Sequence, residues 1–197
     1  MAASVTPLEL ERRALDAEER PLVERARAGD VDAFDDLVVR YLKRAFAVAL
    51  RVMRQREDAE DLVQDAFIQA FQTLDRFEPG RPFAPWFFRI LVNRGLNLRR
   101  ARAVRATEEI PEDVAAAQDS PARLLERGEL REKLCAAIAA LPERERTVVE
   151  LFELEGFDSG EIADILEIPR GTVRWHLHEA RLTLRRELRA FHGSDEP

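Results

Sequence analysis

Ser159-Gly160-Glu161-Ile162-Ala163-Asp164-Ile165-Leu166-Glu167-Ile168-Pro169-Arg170-Gly171-Thr172-Val173-Arg174-Trp175-His176-Leu177-His178-Glu179-Ala180 reads as a short amphipathic helix, a turn through Pro169 and a longer helix from Arg170. On the second helix Val173, Leu177, Ala180, Leu184 and Leu188 recur at spacings of four, three, four and four, a stripe that must face a core. At about 100° per residue the opposite face carries Thr172, Trp175, Glu179 and Arg186, flanked by Arg174, His178, Arg181 and Arg185. Such a face can enter a major groove. Thr172, Trp175, His176 and Glu179 then lie near the helix start, where base edges are read, and the flanking arginines meet phosphates. The plainer alternative is a charged helix that is only solvated. His176 and His178, two residues apart, point roughly 200° away from each other and do not share a metal.

Outward from this segment, apolar residues recur at helical spacing and no alternating β-branched run appears, so the chain reads as all-α. Helices are expected near 19–28, 31–54, 57–76, 83–104, 121–140, 143–155, 159–167 and 170–190. Gly29-Asp30 makes the first break, and Glu78-Pro79-Gly80-Arg81-Pro82 the sharpest. Residues 106–121 are acidic and carry no helical stripe, which predicts a flexible linker between two small helical domains at 19–105 and 122–192. Residues 1–18 are a variable segment that forms a short charged helix or stays loose.

The 197 residues carry 31 basic and 38 acidic side chains, a net charge of -7, with 46% apolar and 35% charged residues. That balance describes a soluble globular protein. All the basic residues but Lys43 and Lys133 are arginine, the better bidentate partner of phosphate and guanine; a GC-rich genome explains this equally well. The single cysteine, Cys135, excludes an internal disulfide or thiolate cluster and fits a reducing cytoplasm. No stretch resembles a signal peptide or approaches the ~20 apolar residues that span a bilayer. With three histidines and no phosphate-cradling glycine loop, neither a cofactor nor covalent chemistry can be placed, and an enzyme is the least expected class.

One helix-turn-helix buries little DNA surface, so an acidic chain needs help from a second copy on a palindrome or from a larger partner. The first domain supplies a clue. Residues 83–105, Phe-Ala-Pro-Trp-Phe-Phe-Arg-Ile-Leu-Val-Asn-Arg-Gly-Leu-Asn-Leu-Arg-Arg-Ala-Arg-Ala-Val-Arg, contain no carboxylate. Arg81, Arg89, Arg94, Arg99, Arg100, Arg102 and Arg105 make this region basic. Arg89, Asn93, Asn97 and Arg100 fall within roughly 80° of arc together with Trp86 and Ile90. Asparagines for base edges, arginines for phosphate and an aromatic for stacking are what a single-strand reader needs. Phe87 and Phe88 read as core; Trp86 reads equally as core or as a stacking surface. The preceding helix is the reverse in sign, with Glu57, Asp58, Glu60, Asp61 and Asp65 and no base in residues 57–65. It is expected to pack through Leu62, Phe67, Ile68 and Phe71 and to turn Asp61, Gln64, Asp65 and Gln69 outward, toward solvent or a basic protein.

Taken together, Gly29-Asp30-x-x-Ala33-Phe34, the run from Glu57 to Phe67, Phe83-x-x-Trp86-x-x-Arg89-Ile90-x-x-Asn93, and Glu161-Ile162-Ala163 with Gly171-Thr172-Val173-Arg174 resemble bacterial extracytoplasmic-function (ECF) sigma factors, in family order over about 20–190. The resemblance implies that Asp58, Asp61, Leu62, Gln64 and Asp65 bind the beta-prime clamp helices of RNA polymerase core, which also offers its beta subunit. It implies that Phe77, Trp86, Arg89, Ile90, Asn93, Asn97 and Arg100 recognise and melt the minus-ten element, with Phe77 and Asn93 at the pocket for a flipped base. Arg170, Thr172, Arg174, Trp175, His176, Glu179 and Arg181 would read the minus-thirty-five element. Partners implied are core polymerase, double- and single-stranded promoter DNA and an anti-sigma protein, often membrane-bound, in a cytoplasmic setting. Trp175-His176 and Glu179 depart from the small or basic residues of many relatives, and Glu167 stands where glycine is frequent. The rival reading is a conventional helix-turn-helix regulator whose first domain senses or dimerises.

Overall fold

The computed structural model describes residues 18–78, 80–106 and 134–192, with side chains described to residue 103 in the second stretch and 188 in the third. Among these residues the chain is helical and contains no strand. Contacts divide it into two compact units that part between Pro111 and Glu112. All but residue 18 of the expected terminal segment at 1–18, the linker beyond Ala106, and residues 121–133 of the helix expected near 121–140 lie outside the described residues.

The first unit begins with α1 (18–27) and turns at Gly29, whose φ of +94° suits a residue without a Cβ. Asp30 then caps α2 (Val31–Met53), its carboxylate accepting from Ala33 N–H at 3.1 Å. Left-handed Arg54 closes α2 by donating its N–H to Leu50 O. α3 (Arg56–Thr73) follows and tightens into a 3-10 turn over Leu74–Arg76; after the Pro-Gly break comes α4 (Phe83–Ala106). α2, α3 and α4 pack on one another.

Alanines at 45, 49, 59, 66 and 70 are fully buried, so the helix axes approach closely around the large side chains of α4. Phe87 and Phe88 lie at the centre as expected. Phe87 stacks on Phe67 with centroids 4.6 Å apart, and Tyr41 stands among Phe83, Phe87 and Phe88. Burying such a ring stabilises by about 1.5–3 kcal/mol. The Tyr41 hydroxyl donates to the buried Glu19 carboxylate, joining α1 to α2.

Two expectations for α3 fail. Leu62 and Phe67 are buried, but Ile68 is 47% and Phe71 46% exposed. The buried stripe is Ala59, Leu62, Val63, Ala66, Phe67 and Ala70, with helical periodicity through small residues; Ile68 and Phe71 lie around the helix from it.

In the second unit a short helix α5 (134–139) precedes α6 (Glu143–Val149), which continues as a wider π turn over Glu150–Leu154. α7 (Ser159–Leu166) starts on a capping box: Asp158 accepts from Gly160 and Glu161 N–H, and Glu161 accepts from Asp158 N–H. Glu167 ends it in the left-handed region, at φ 54°, where a glycine would rest unstrained. α8 (Arg170–His192) then packs on α6 and α7; Val173, Leu177 and Ala180 of α8 are buried, as are Val148, Leu151, Phe157, Ile162 and Ile165 of the same unit. Leu184 and Leu188 are half-buried.

Candidate nucleic-acid interface

On α4 the polar stripe is presented outward. Arg89, Asn97 and Arg100 are exposed; Trp86, Ile90 and Asn93 are half-buried. Arg100 donates to the Asn97 side-chain oxygen at 3.3 Å, so two of the stripe's polar groups already touch. Trp86 rests its ring edge-on against Phe77, 5.2 Å between centroids, and beside Phe83 at 5.4 Å. Phe77, expected at a base pocket, is instead buried beneath Trp86. The 3-10 turn ahead of it directs its ring into the core, and Trp86 is the half-buried aromatic ring that covers it.

The arginines of this region do not act alike. Arg81 pairs with Glu78 at 2.9 Å. Arg94 reaches α3, giving Nε and Nη2 to Asp65 Oδ2 at 3.1 and 2.5 Å. Arg102 forks onto both oxygens of Asp58, Nη2 lying 2.6 Å from Oδ1. Those hydrogen bonds hold the Asp58 carboxyl below its ordinary range, against the opposing effect of burial. Arg89 and Arg100 are left as exposed cations of the stripe.

α3 therefore shows a divided acidic face. Asp61 and Gln64 are exposed, and Ile68 and Phe71 extend the same surface with apolar side chains. Phe71 packs edge-on to Phe34, 5.0 Å away, which holds its ring in place. Leu62, expected to meet a partner, is in the core. Its position three after Ala59 and four before Ala66 gave that signal.

On α8, Arg174, Trp175, His178 and Arg181 are exposed, Trp175 at 55%, with Thr172 and Glu179 half-buried. Arg170 donates to Ser159 Oγ at 3.1 Å, tying the start of α8 to the start of α7. Arg181 lies over the Phe152 ring and reaches Glu153 at 3.3 Å. Arg170, Arg174 and Trp175 are thus exposed within the first two turns of α8, the part of such a helix that can approach a groove.

His176 does not belong to that surface. It is 8% exposed, and its Nδ1 is buried without a hydrogen-bond partner. Three residues after Val173, it lies only about 60° from the core stripe. Burial holds its pKa below 6.5; the Glu145 carboxylate opposes this and the Arg144 guanidinium adds to it. The unfolded chain takes up the proton first, so this unit is expected to lose stability as pH falls through about 6.5 and to have the full contribution above it. Thermal unfolding of the full chain between pH 8 and 5, scaled roughly by that histidine pKa, checks this: His176→Asn should flatten the slope, and an unchanged slope excludes His176 as its source.

Two family models match the chain: Sigma-70 region 2 over residues 37–105 and Sigma-70, region 4 over residues 131–184. RNA polymerase sigma-H factor of Pseudomonas aeruginosa is 34% identical over 174 residues, covering 83% of this chain and 90% of the relative. ECF RNA polymerase sigma factor SigW of Bacillus subtilis is 32% identical over 181 residues, covering 85% and 95%. Among solved structures, CnrH in complex with the cytosolic domain of CnrY is similar at a TM-score of 0.63 and 28% identity, covering 90% of this chain and 99% of that one. The sigma factor RpoE of Bartonella quintana, in complex with the anti-sigma factor NepR, is similar at 0.67 and 25%, covering 79% and 96%.

Proposed function

Because the chain belongs to the ECF family of RNA polymerase sigma factors, its function is promoter-specific transcription initiation, and we propose that its side chains divide that work as follows. Asp61, Gln64, Ile68 and Phe71 on α3 dock on the beta-prime clamp helices of core. Trp86, Arg89, Asn93, Asn97 and Arg100 on α4 read and open the minus-ten element, Trp86 stacking on an unpaired base. Arg170, Thr172, Arg174, Trp175, Glu179 and Arg181 on α8 read the minus-thirty-five element in duplex form.

The observation that carries this division is the pair of unlike faces on one helical unit. α3 turns out carboxylates edged with Ile68 and Phe71, while α4 turns out arginines, asparagines and an indole. The first suits a basic protein helix with an apolar seam. The second suits phosphates and bases. DNA binding is thereby made conditional on core, which compensates for an acidic chain.

No covalent step is assigned to any residue, and the chain acts in the cytoplasm with polymerase. No helix among the described residues is long and apolar enough to cross a membrane. The solved relatives bound to CnrY and NepR support an anti-sigma protein as a further partner.

Asp61→Arg tests the docking face. Placing a cation against a basic partner should weaken core association at least about tenfold, since like-charge contact costs several kcal/mol, while the helical fold persists. Titration of labelled core reads it, and undiminished affinity removes α3 from the interface. A conventional regulator would instead shift duplex palindromic DNA unaided, with or without Asp61.

A further inference from the structure

α3 and α4 run antiparallel along one edge of the first unit, and two carboxylate–guanidinium pairs bridge them there: Asp65 with Arg94, and Asp58 with Arg102. Seven residues separate the acids and eight the arginines, about two helical turns on each helix. The pairs form two rungs of a ladder. They span 29 and 44 residues of sequence, so they link helices and do not support either helix by itself.

Each rung adjoins a working face. Arg94 directly follows Asn93 of the strand-reading stripe; Asp65 directly follows Gln64 of the docking face. Arg102 follows the stripe's last arginine by two positions, and Asp58 lies one turn before Asp61. Apolar burial between the helices is non-directional and sets mainly how close they lie. A forked guanidinium on a carboxylate is directional and fixes how far one helix has slid or turned against the other. Any axial slip that shifts Asn93 relative to Gln64 must break both rungs.

We infer that Arg94 and Arg102 are positioning residues: through Asp65 and Asp58 they lock the register of the strand-reading helix to the core-docking helix. Asp58 and Asp65 then serve initiation by way of α4, leaving Asp61 and Gln64 as the acids' and amides' share of the docking surface. The inference rests on the sigma-factor reading. It separates from that reading because it concerns the rate of opening after core has bound. Partly exposed pairs add little to global stability, so loss of a rung should leave the fold and its melting temperature nearly unchanged.

The test uses full-length chain with saturating core polymerase. The probe is a promoter duplex, chosen by core-dependent run-off transcription of genomic DNA, with a fluorescent base analogue in the non-template strand of the minus-ten element. Arg94→Asp and Asp65→Arg should each slow the fluorescence rise about fivefold, as for loss of a pair near the top of the surface range. The charge-swapped double variant should return to within about twofold of the parent. Arg94→Gln, which removes the charge at small cost to folding, should also slow opening while core affinity and melting temperature hold. A swap as slow as the worse single variant overturns the inference. So does slow opening that tracks a loss of core affinity in Asp65→Asn, with Arg94→Gln opening at the parental rate. Failure of the parent chain to open any promoter with core counts against the sigma-factor assignment itself.

Discussion

Gly95→Ala is expected to destabilise the first unit by about 2 kcal/mol, within the ordinary cost of overpacking a filled core, and to lower its melting midpoint by roughly 10 °C for a domain of this size. A Cβ on Gly95 would come 2.7 Å from Val52 Cγ1 and 2.8 Å from Leu62 Cδ2. Both neighbours are buried, and a β-branched valine on a helix has essentially one rotamer available, so Val52 cannot turn aside. Alanine's better helix propensity, about 1 kcal/mol over glycine, offsets part of this. The net sign remains unfavourable because two contacts must open at once. Val52→Ala placed with Gly95→Ala should recover part of the loss, since the removed methyl is the one struck. An unchanged midpoint in the single variant would show that α4 can lift from α2 and α3 without cost. Gly95 thereby sets the depth at which α4 sits and the position of Asn93, two residues earlier.

Asn93→Ala is expected to reduce promoter opening about tenfold at equal core occupancy, the size of one well-placed amide–base contact. Asn93 occupies the centre of the outward stripe between Arg89 and Asn97 and is half-buried. Removing it leaves the docking face of α3 as it was. Core titration should therefore be unchanged while permanganate reactivity of the minus-ten thymines falls. Equal reactivity in both chains would transfer recognition to Trp86 and Arg89 alone.

Much of this arrangement was legible in residue spacing. The helix-turn-helix followed from a short amphipathic run, Pro169 and a second stripe, and Val173, Leu177 and Ala180 are buried where that stripe placed them. The break at residues 78–82 and the buried Phe87 and Phe88 were equally plain. The α4 stripe was readable because four polar residues in 80° of arc have no reason to share a face otherwise.

What spacing could not supply was mostly a matter of neighbours. Ile68 and Phe71 are large and apolar yet exposed, whereas α3 packs through Ala59, Leu62, Val63, Ala66, Phe67 and Ala70; periodicity outranks residue size. Phe77 was placed at a base pocket by resemblance, yet a single 3-10 turn decides its direction, and no pattern encodes that turn. His176 carried a usable signal, three residues from Val173, that its polar side chain disguised. Arg94 and Arg102 sit in a run of arginines that suits phosphate, and only the approach of α3 shows their carboxylate partners. Gly95 is one glycine inside a helix, and its close contacts exist only once three helices meet.

Permanganate footprinting of a promoter with core polymerase, with and without this chain, tests the central claim most directly. The account predicts unpaired thymines across the minus-ten element only when both proteins are present, with protection upstream at the minus-thirty-five element. A chain that protects duplex DNA by itself, and leaves the thymines unreactive when core is added, would contradict it.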